Sequence, residues 1–189
     1  MYLFKTNTIN LIKIKINLLL ILFFLFFFIN AYAEEKFIGF VDTLDGNAVI
    51  TKGKDSIKLN EFDQIFTNEK IIIDEGTSII ISFTDNSLLT IKDESEFFVK
   101  EFDKDSSKPS FILSITKGKF SLESGSIAKN KNGIMKIKLS GMDVKLNGTL
   151  VVGQNTGGNK AVTLVEDSTG NLGTLEIGIE GSNETKVIS

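Results

Sequence analysis

Apolar and polar residues alternate with a period of two along most of this chain. In Ser78 to Thr84, Ile79, Ile81 and Phe83 fall on one face; in Met142 to Leu146, Met142, Val144 and Leu146 do; in Leu175 to Glu180, Leu175, Ile177 and Ile179 alternate with Glu176, Gly178 and Glu180. A two-residue period is that of a half-buried strand. The same reading places further short strands at Phe37 to Val41, Ala48 to Lys52, Lys70 to Asp74, Ser87 to Lys92, Glu96 to Phe102, Ser110 to Thr116, Met135 to Leu139, Leu150 to Val152 and Ala161 to Val165. Turn formers sit between them: Asp45-Gly46, Glu75-Gly76, Asp85-Asn86, Lys117-Gly118, Asn132-Gly133 and Asn147-Gly148. No three-turn helix is indicated. The expected class is all-β: many short antiparallel strands in a sandwich, barrel or solenoid-like stack.

The N-terminus breaks this pattern. Lys5, Lys13 and Lys15 precede a continuous apolar run from Leu18 to Ile29, followed by Ala31-Tyr32-Ala33. Basic region, short apolar core and small-x-small site are the parts of a signal peptide, with Ala31 and Ala33 marking cleavage. A spanning helix needs about 20 apolar residues, and this run has 12. The mature chain is therefore expected to start at Glu34 and to be periplasmic or secreted, touching a membrane only if the N-terminus stays uncleaved.

Charge and missing residue types narrow the function. From Glu34 onward there are 18 lysines against 24 acidic residues, a net charge of −6, and no arginine. That balance argues against nucleic acid as a partner, and the guanidinium fork that reads phosphate is missing. There is no histidine or cysteine, which removes Ser-His-Asp and Cys-His catalysis, histidine-ligated zinc and thiol chemistry. Ser114-Ile-Thr-Lys117 and Ser126-Ile-Ala-Lys129 match the S-x-x-K of serine acyl enzymes, but that motif needs a helical turn, and both are read here as strand. Asp42, Asp45 and Asn47 surround Gly46; a calcium loop needs more converging oxygens, so Asp45-Gly46 is read as a hairpin turn between the first two strands. No cofactor, metal or catalytic residue is expected.

Two irregular stretches remain. Glu101 to Pro109, with charge, serine and the only proline, is read as a surface loop, and Gly153 to Asn159 (GQNTGGN) as a flexible connection. Phe97, Phe98, Phe102, Phe111 and Phe120 are read as core, with one of the adjacent pair Phe97 and Phe98 forced outward.

The order Gly39-x-Val41, Leu44-x-Gly46-x-Ala48-Val49, Leu59 to Phe66, Ile71-x-x-x-x-Gly76-x-Ser78 and Ile79-x-Ile81-x-Phe83-x-Asp85-Asn86-Ser87-x-Leu89-x-Ile91 resembles the FecR domain. Phe111 to Leu122 resembles that family's strand, glycine turn and strand, and Val144 to Val152 its closing Gly-Thr and apolar strand. Asn86 stands where the family's D-G-S has glycine, and Asn147 where an arginine commonly precedes Gly-Thr. The resemblance implies a FecR-like β-domain over residues 34–153, with residues 154–189 as added β-hairpins. Typical members are membrane-spanning regulators of iron-uptake transcription with a cytoplasmic part acting on a sigma factor. Only about fifteen residues precede the apolar run here, too few for such a part. The expectation is an exported, non-catalytic domain that binds another envelope protein, or, alternatively, a structural envelope protein that self-associates through its strand edges.

Overall fold

Alternation of buried and half-exposed residues is carried through in the structure. The computed structural model describes Lys15, Asn17 and residues 36–53, 55–148, 150–166, 170–179 and 185–189; Ala31 and Ala33 lie outside the described residues. Two compact units divide the chain, Met1–Glu34 and Glu35–Ser189. Among the described residues of the second there are fourteen strands: β1 (Phe37–Asp45), β2 (Ala48–Lys52), β3 (Asp55–Lys58), β4 (Gln64–Phe66), β5 (Lys70–Ile73), β6 (Ser78–Phe83), β7 (Leu88–Asp103), β8 (Ser110–Glu123), β9 (Ile134–Leu139), β10 (Met142–Asn147), β11 (Leu150–Thr156), β12 (Asn159–Val165), β13 (Thr174–Ile179) and β14 (Thr185–Ile188). One helical turn, α1 (Ser126–Lys129), lies between β8 and β9. The protein is all-β, as the alternation predicts.

All the strands join one sheet, and its two longest members hold it together. The first part of β7 pairs with β6 and the second with β5. The first part of β8 pairs with β9 and the last with β11, while β7 and β8 pair with each other along their length. The sheet thus has two arms: layer A, in the order β14-β13-β10-β9-β8-β7-β5-β2-β3, and layer B, β4-β1-β6-β7-β8-β11-β12. If β7 were straight, Phe102 would lie roughly 46 Å from Leu88. Yet the ring of Phe83, beside the start of β7, stacks on Phe102 at 6.0 Å and meets Phe111 edge-on at 4.8 Å. The β7–β8 hairpin is therefore folded over on itself, and the two layers face each other across one core that includes Ile71, Ile73, Ile79, Ile81, Leu113 and Leu122.

The fold-over has a local cause. Register between β7 and β8 slips from Lys92 to Glu96, a bulge in which Asp93 takes φ 60°. Opposite it, Gly118 has φ +125°, and a Cβ there would come within 1.9 Å of the Ser95 Oγ. Ser95 Oγ donates to the Lys92 carbonyl at 3.2 Å, and Lys119 pairs with Asp93 at 2.9 Å. Lys117-Gly118, predicted as a turn, is instead a bend inside a continuous strand.

Other predicted turns are corners too. β1 and β2 do not pair with each other; the chain passes between layers at Gly46 and Asn47, so Asp45-Gly46 closes no hairpin. The return passage, from β5 to β6, lies beside it: Thr77 Oγ1 accepts the Asn47 amide at 3.0 Å, and the Asp74 amide donates to the Asn47 carbonyl at 3.1 Å. The Asp93 amide at the β7 bulge donates to the Thr77 carbonyl at 2.9 Å, so corners and bulge form one hydrogen-bonded line.

Further differences concern lengths and connections. Ser87 to Lys92 and Glu96 to Phe102 are one 16-residue strand, and β8 pairs with β9 in parallel, so the strands are neither all short nor all antiparallel. Of GQNTGGN, the first four residues belong to β11, and Gly157 and Gly158, at φ 54° and 87°, make a two-residue turn into β12. The division expected at Gly153 falls inside β11, and the C-terminal strands extend both layers. Of the loop expected over Glu101 to Pro109, Glu101 to Asp103 are the end of β7, and Lys104 to Pro109 form the β7–β8 hairpin loop. Phe97, Phe102, Phe111 and Phe120 are buried and Phe98 is half-exposed. We expect Gly118→Val to cost about 2–4 kcal/mol, combining side-chain overlap with a disfavoured φ, read as a lowered urea midpoint.

Candidate docking face and the Asp-Asn-Ser staple

Asp85, Asn86 and Ser87 turn the chain from β6 into β7, and Asn86 adopts φ 66°, the left-handed conformation that asparagine tolerates better than most residues. Asp85 and Ser87 are each 1% exposed. The Asp85 carboxylate accepts from the Ser87 amide at 3.0 Å and from the Ser87 hydroxyl at 2.9 Å. The same turn captures three consecutive amides at the start of α1. Gly125 N donates to Ser87 Oγ at 2.9 Å, Ser126 N to the Asp85 carbonyl at 2.8 Å and Ile127 N to Asp85 Oδ2 at 3.4 Å. These amides have no partner within a helix, so the turn staples the crossover to the β6–β7 corner. Contact is too close for any side chain at position 125, where a Cβ would lie 2.2 Å from the Asp85 carbonyl oxygen.

Beside the staple lies a shallow recess of about 390 Å³ lined by Phe40, Ser82, Phe83, Asn86, Ser87, Leu88 and Glu123. It opens onto the outer face of layer B, where pairing aligns side chains in rows. One row runs Phe40, Ser82, Leu88, Glu123, Leu150, Val165; the next runs Thr43, Ile80, Thr90, Ser121, Val152, Thr163. Glu123 is the one charge in the two rows. Phe40 and Val152 are 40% and 43% exposed, and Phe37, equally open, packs edge-on against Phe66.

The outer face of layer A is built differently. Cross-strand ion pairs lie along it: Lys70 with Glu96 at 2.8 Å, Lys138 with Asp143 at 3.1 Å and Lys145 with Glu176 at 3.2 Å. The Lys145 ammonium, and after it the Asn147 amide, donates to Glu176 and holds its carboxyl below the ordinary 4.5. Such a face is at home in water.

Of the two S-x-x-K motifs, one lies on a strand and the other on an exposed helical turn. Ser114 and Lys117 lie in β8, as read. Ser126 and Lys129 span α1, contrary to the strand reading, and both side chains are exposed. Asp42, Asp45 and Asn47 lie at the β1 bulge and the layer corner, and among the described residues no three acidic side chains come together as a metal site. Sequence reasoning missed Phe40, although consecutive Phe40 and Val41 cannot both face the core. It also missed Asn155, which is buried and donates through Nδ2 to the carbonyls of Ile115 at 2.9 Å and Thr116 at 2.8 Å.

These features define an all-β domain of one folded-over sheet with an Asp-Asn-Ser turn fastening its crossover. A family model described as FecR protein matches residues 69–169, just over half the chain, and the chain belongs to that family. The match begins at the entry to β5, later than the resemblance seen from Phe37, and continues past β12. No curated protein and no solved structure matches the chain. Family membership marks a module related to signalling and regulation. Among the described residues no helix is long and apolar enough to cross a membrane.

We expect Asp85→Ala to cost about 3 kcal/mol, since each buried donor left without a partner costs about 1–3 kcal/mol, with Asp85→Asn milder; hydrogen exchange at the Gly125, Ser126 and Ile127 amides should quicken along with the drop in denaturation midpoint. A lowered folded pKa means that Glu176 stabilises the fold above pH 4.5 and that this contribution is lost as pH falls through the lowered value. Both partners are about a third exposed, so it amounts to less than about 1 kcal/mol. Acid titration of stability should show this component in the wild type and lose it in Glu176→Gln.

Proposed function

We propose that this chain is an exported, non-catalytic binding domain of the bacterial envelope that docks a partner protein on the outer face of layer B. The observation that carries the reading is the contrast between its two faces. Layer A meets solvent with cross-strand ion pairs, whereas layer B presents two adjacent rows with a single charge, and Phe40, Leu88 and Val152 stand on them. Apolar side chains grouped on a flat face mark interaction surfaces. Family membership supports a role in envelope signalling; the signal-peptide pattern through Ala33 supports export. The partner surface that fits is itself largely uncharged, because a lysine or aspartate buried against these rows would lose its water without a countercharge.

A photo-crosslinking residue placed at Phe40 or Val152 of the full chain in its native host should capture one reproducible envelope protein, while the same residue at Lys145 should not. Intact-mass measurement of the same material should show a chain beginning at Glu34. Capture that is equal from both faces, or absent from Phe40 and Val152, would sink the docking assignment; residues 34–189 found in the cytoplasm would sink export.

A further inference from the structure

Among the described residues layer B ends on β12, which pairs with β11 alone. Soluble proteins keep such edges short or charged, and the other edges obey: β4 has three residues, while β3 and β14 have four each and carry Asp55, Lys58 and Lys186. In contrast, β12 has seven residues, and its run Ala161-Val-Thr-Leu-Val165 carries no charge. The two-residue turn Gly157–Gly158 makes Thr156 and Asn159 a hydrogen-bonded pair. Alternation then aims the backbone N–H and C=O of Lys160, Val162 and Leu164 away from β11. The side chains of Val162 and Leu164 are only half-buried against the core.

We propose that β12 pairs antiparallel with β12 of a second copy of this chain, about a two-fold axis through Thr163. The strand is self-complementary in that register. Val162 lies opposite Leu164, Ala161 opposite Val165, and Lys160 opposite Glu166, so the two charges that flank the apolar run meet twice by symmetry. Neighbouring registers lose the match: an axis through Val162 sets Lys160 against Leu164, and one through Leu164 sets Glu166 against Val162. Charge complementarity with itself, not with an unrelated strand, is what selects a second copy as the occupant. The pairing also completes the cover over Val162 and Leu164 and continues layer B from one copy into the next. It uses the edge of the sheet, not its face, and stands independently of the partner docking proposed above.

The chain has no cysteine, so single cysteines report the register directly. Thr163 and its symmetry mate form a non-hydrogen-bonded pair with Cα atoms about 4.5 Å apart, within disulfide range of about 4.4–6.8 Å. The two copies of Ala161 are separated by roughly 13 Å along the strands. Full-length Thr163→Cys, exported from bacterial cells, should give a product of doubled mass that reductant reverses. Ala161→Cys and Val165→Cys should each stay single and cross-link only when co-expressed. Adding Lys160→Glu to Thr163→Cys should abolish the doubled species, and adding Glu166→Lys as well should restore it, a rescue that a role of either residue within one copy would not produce. A product of single mass from Thr163→Cys overturns the proposal, as does equal cross-linking by all three single cysteines.

Discussion

The structure depends on one constraint: a hairpin of two long strands has to double over without losing its pairing. β7 and β8 supply the shared edge from which both layers grow, and each must change direction at its midpoint. Hydrogen-bonded strands resist such a bend, so it occurs where the ladder is already interrupted. The bulge at Asp93 to Ser95 adds length on β7, and Gly118 opposite leaves room for Ser95 to lie against the β8 backbone. Beyond it, Asn155 on β11 satisfies the Ile115 and Thr116 carbonyls next to the bend. On the other side, the Asn47, Thr77 and Asp93 bonds tie the two layer corners to the bulge. Every strand that changes layer does so along this line, and the apolar faces of β5 and β6 meet because of it.

Folding one sheet over also settles what its surfaces can be. Each strand offers the core one set of alternating residues, and the other set must face outward. On layer A those outward positions include lysines and carboxylates that pair across strands; on layer B two adjacent rows hold threonine, serine, aliphatic residues and Phe40 with Glu123 alone charged, and the row nearest the bend brings Lys92 and Lys119. Neither choice is forced by the core, since the inward sets of the two layers are equally apolar. Composition alone conceals the difference, because the acidic and basic residues of the chain average over both faces.

Much of the fold was legible in the sequence because burial writes alternation directly into it. β6 and β10 appear at almost their true bounds, and Phe102, Phe111 and Phe120 are core as read, while alternation alone required one of Phe97 and Phe98 to face out without saying that it is Phe98. β3 and β4 left no such trace: Asp55 to Lys58 is exposed throughout, and Gln64 to Phe66 has one inward residue. Asp-Gly and Lys-Gly report only that the backbone turns there, and a hairpin, a layer corner and a bend within a strand all use the same residues. Which one occurs depends on pairing partners far along the chain. The GQNTGGN stretch misled for a related reason. Its polar residues read as solvated loop, yet Asn155 is polar because it answers buried carbonyls on another strand, and no local pattern shows that. The recess beside Phe40 was hidden in the same way, being assembled from β1, β6, β7 and β8.

The position of the Asp-Asn-Ser turn gives the recess its firmness. Asn86 and Ser87 line it, and a turn closing a β-hairpin would ordinarily be among the more mobile parts of a domain. Here the same turn is fixed from behind, because Asp85 and Ser87 hold the amides of Gly125, Ser126 and Ile127. That crossover leads directly into β9, whose first residue bonds to the Pro109 carbonyl and whose strand lies parallel to β8. Loosening the turn would therefore disturb both layers at once. If this face docks a partner, as proposed, a surface held this way would lose little conformational freedom on binding, so more of the contact energy would be realised as affinity. The buried carboxylate at Asp85 is best understood as the part that makes an exposed corner rigid.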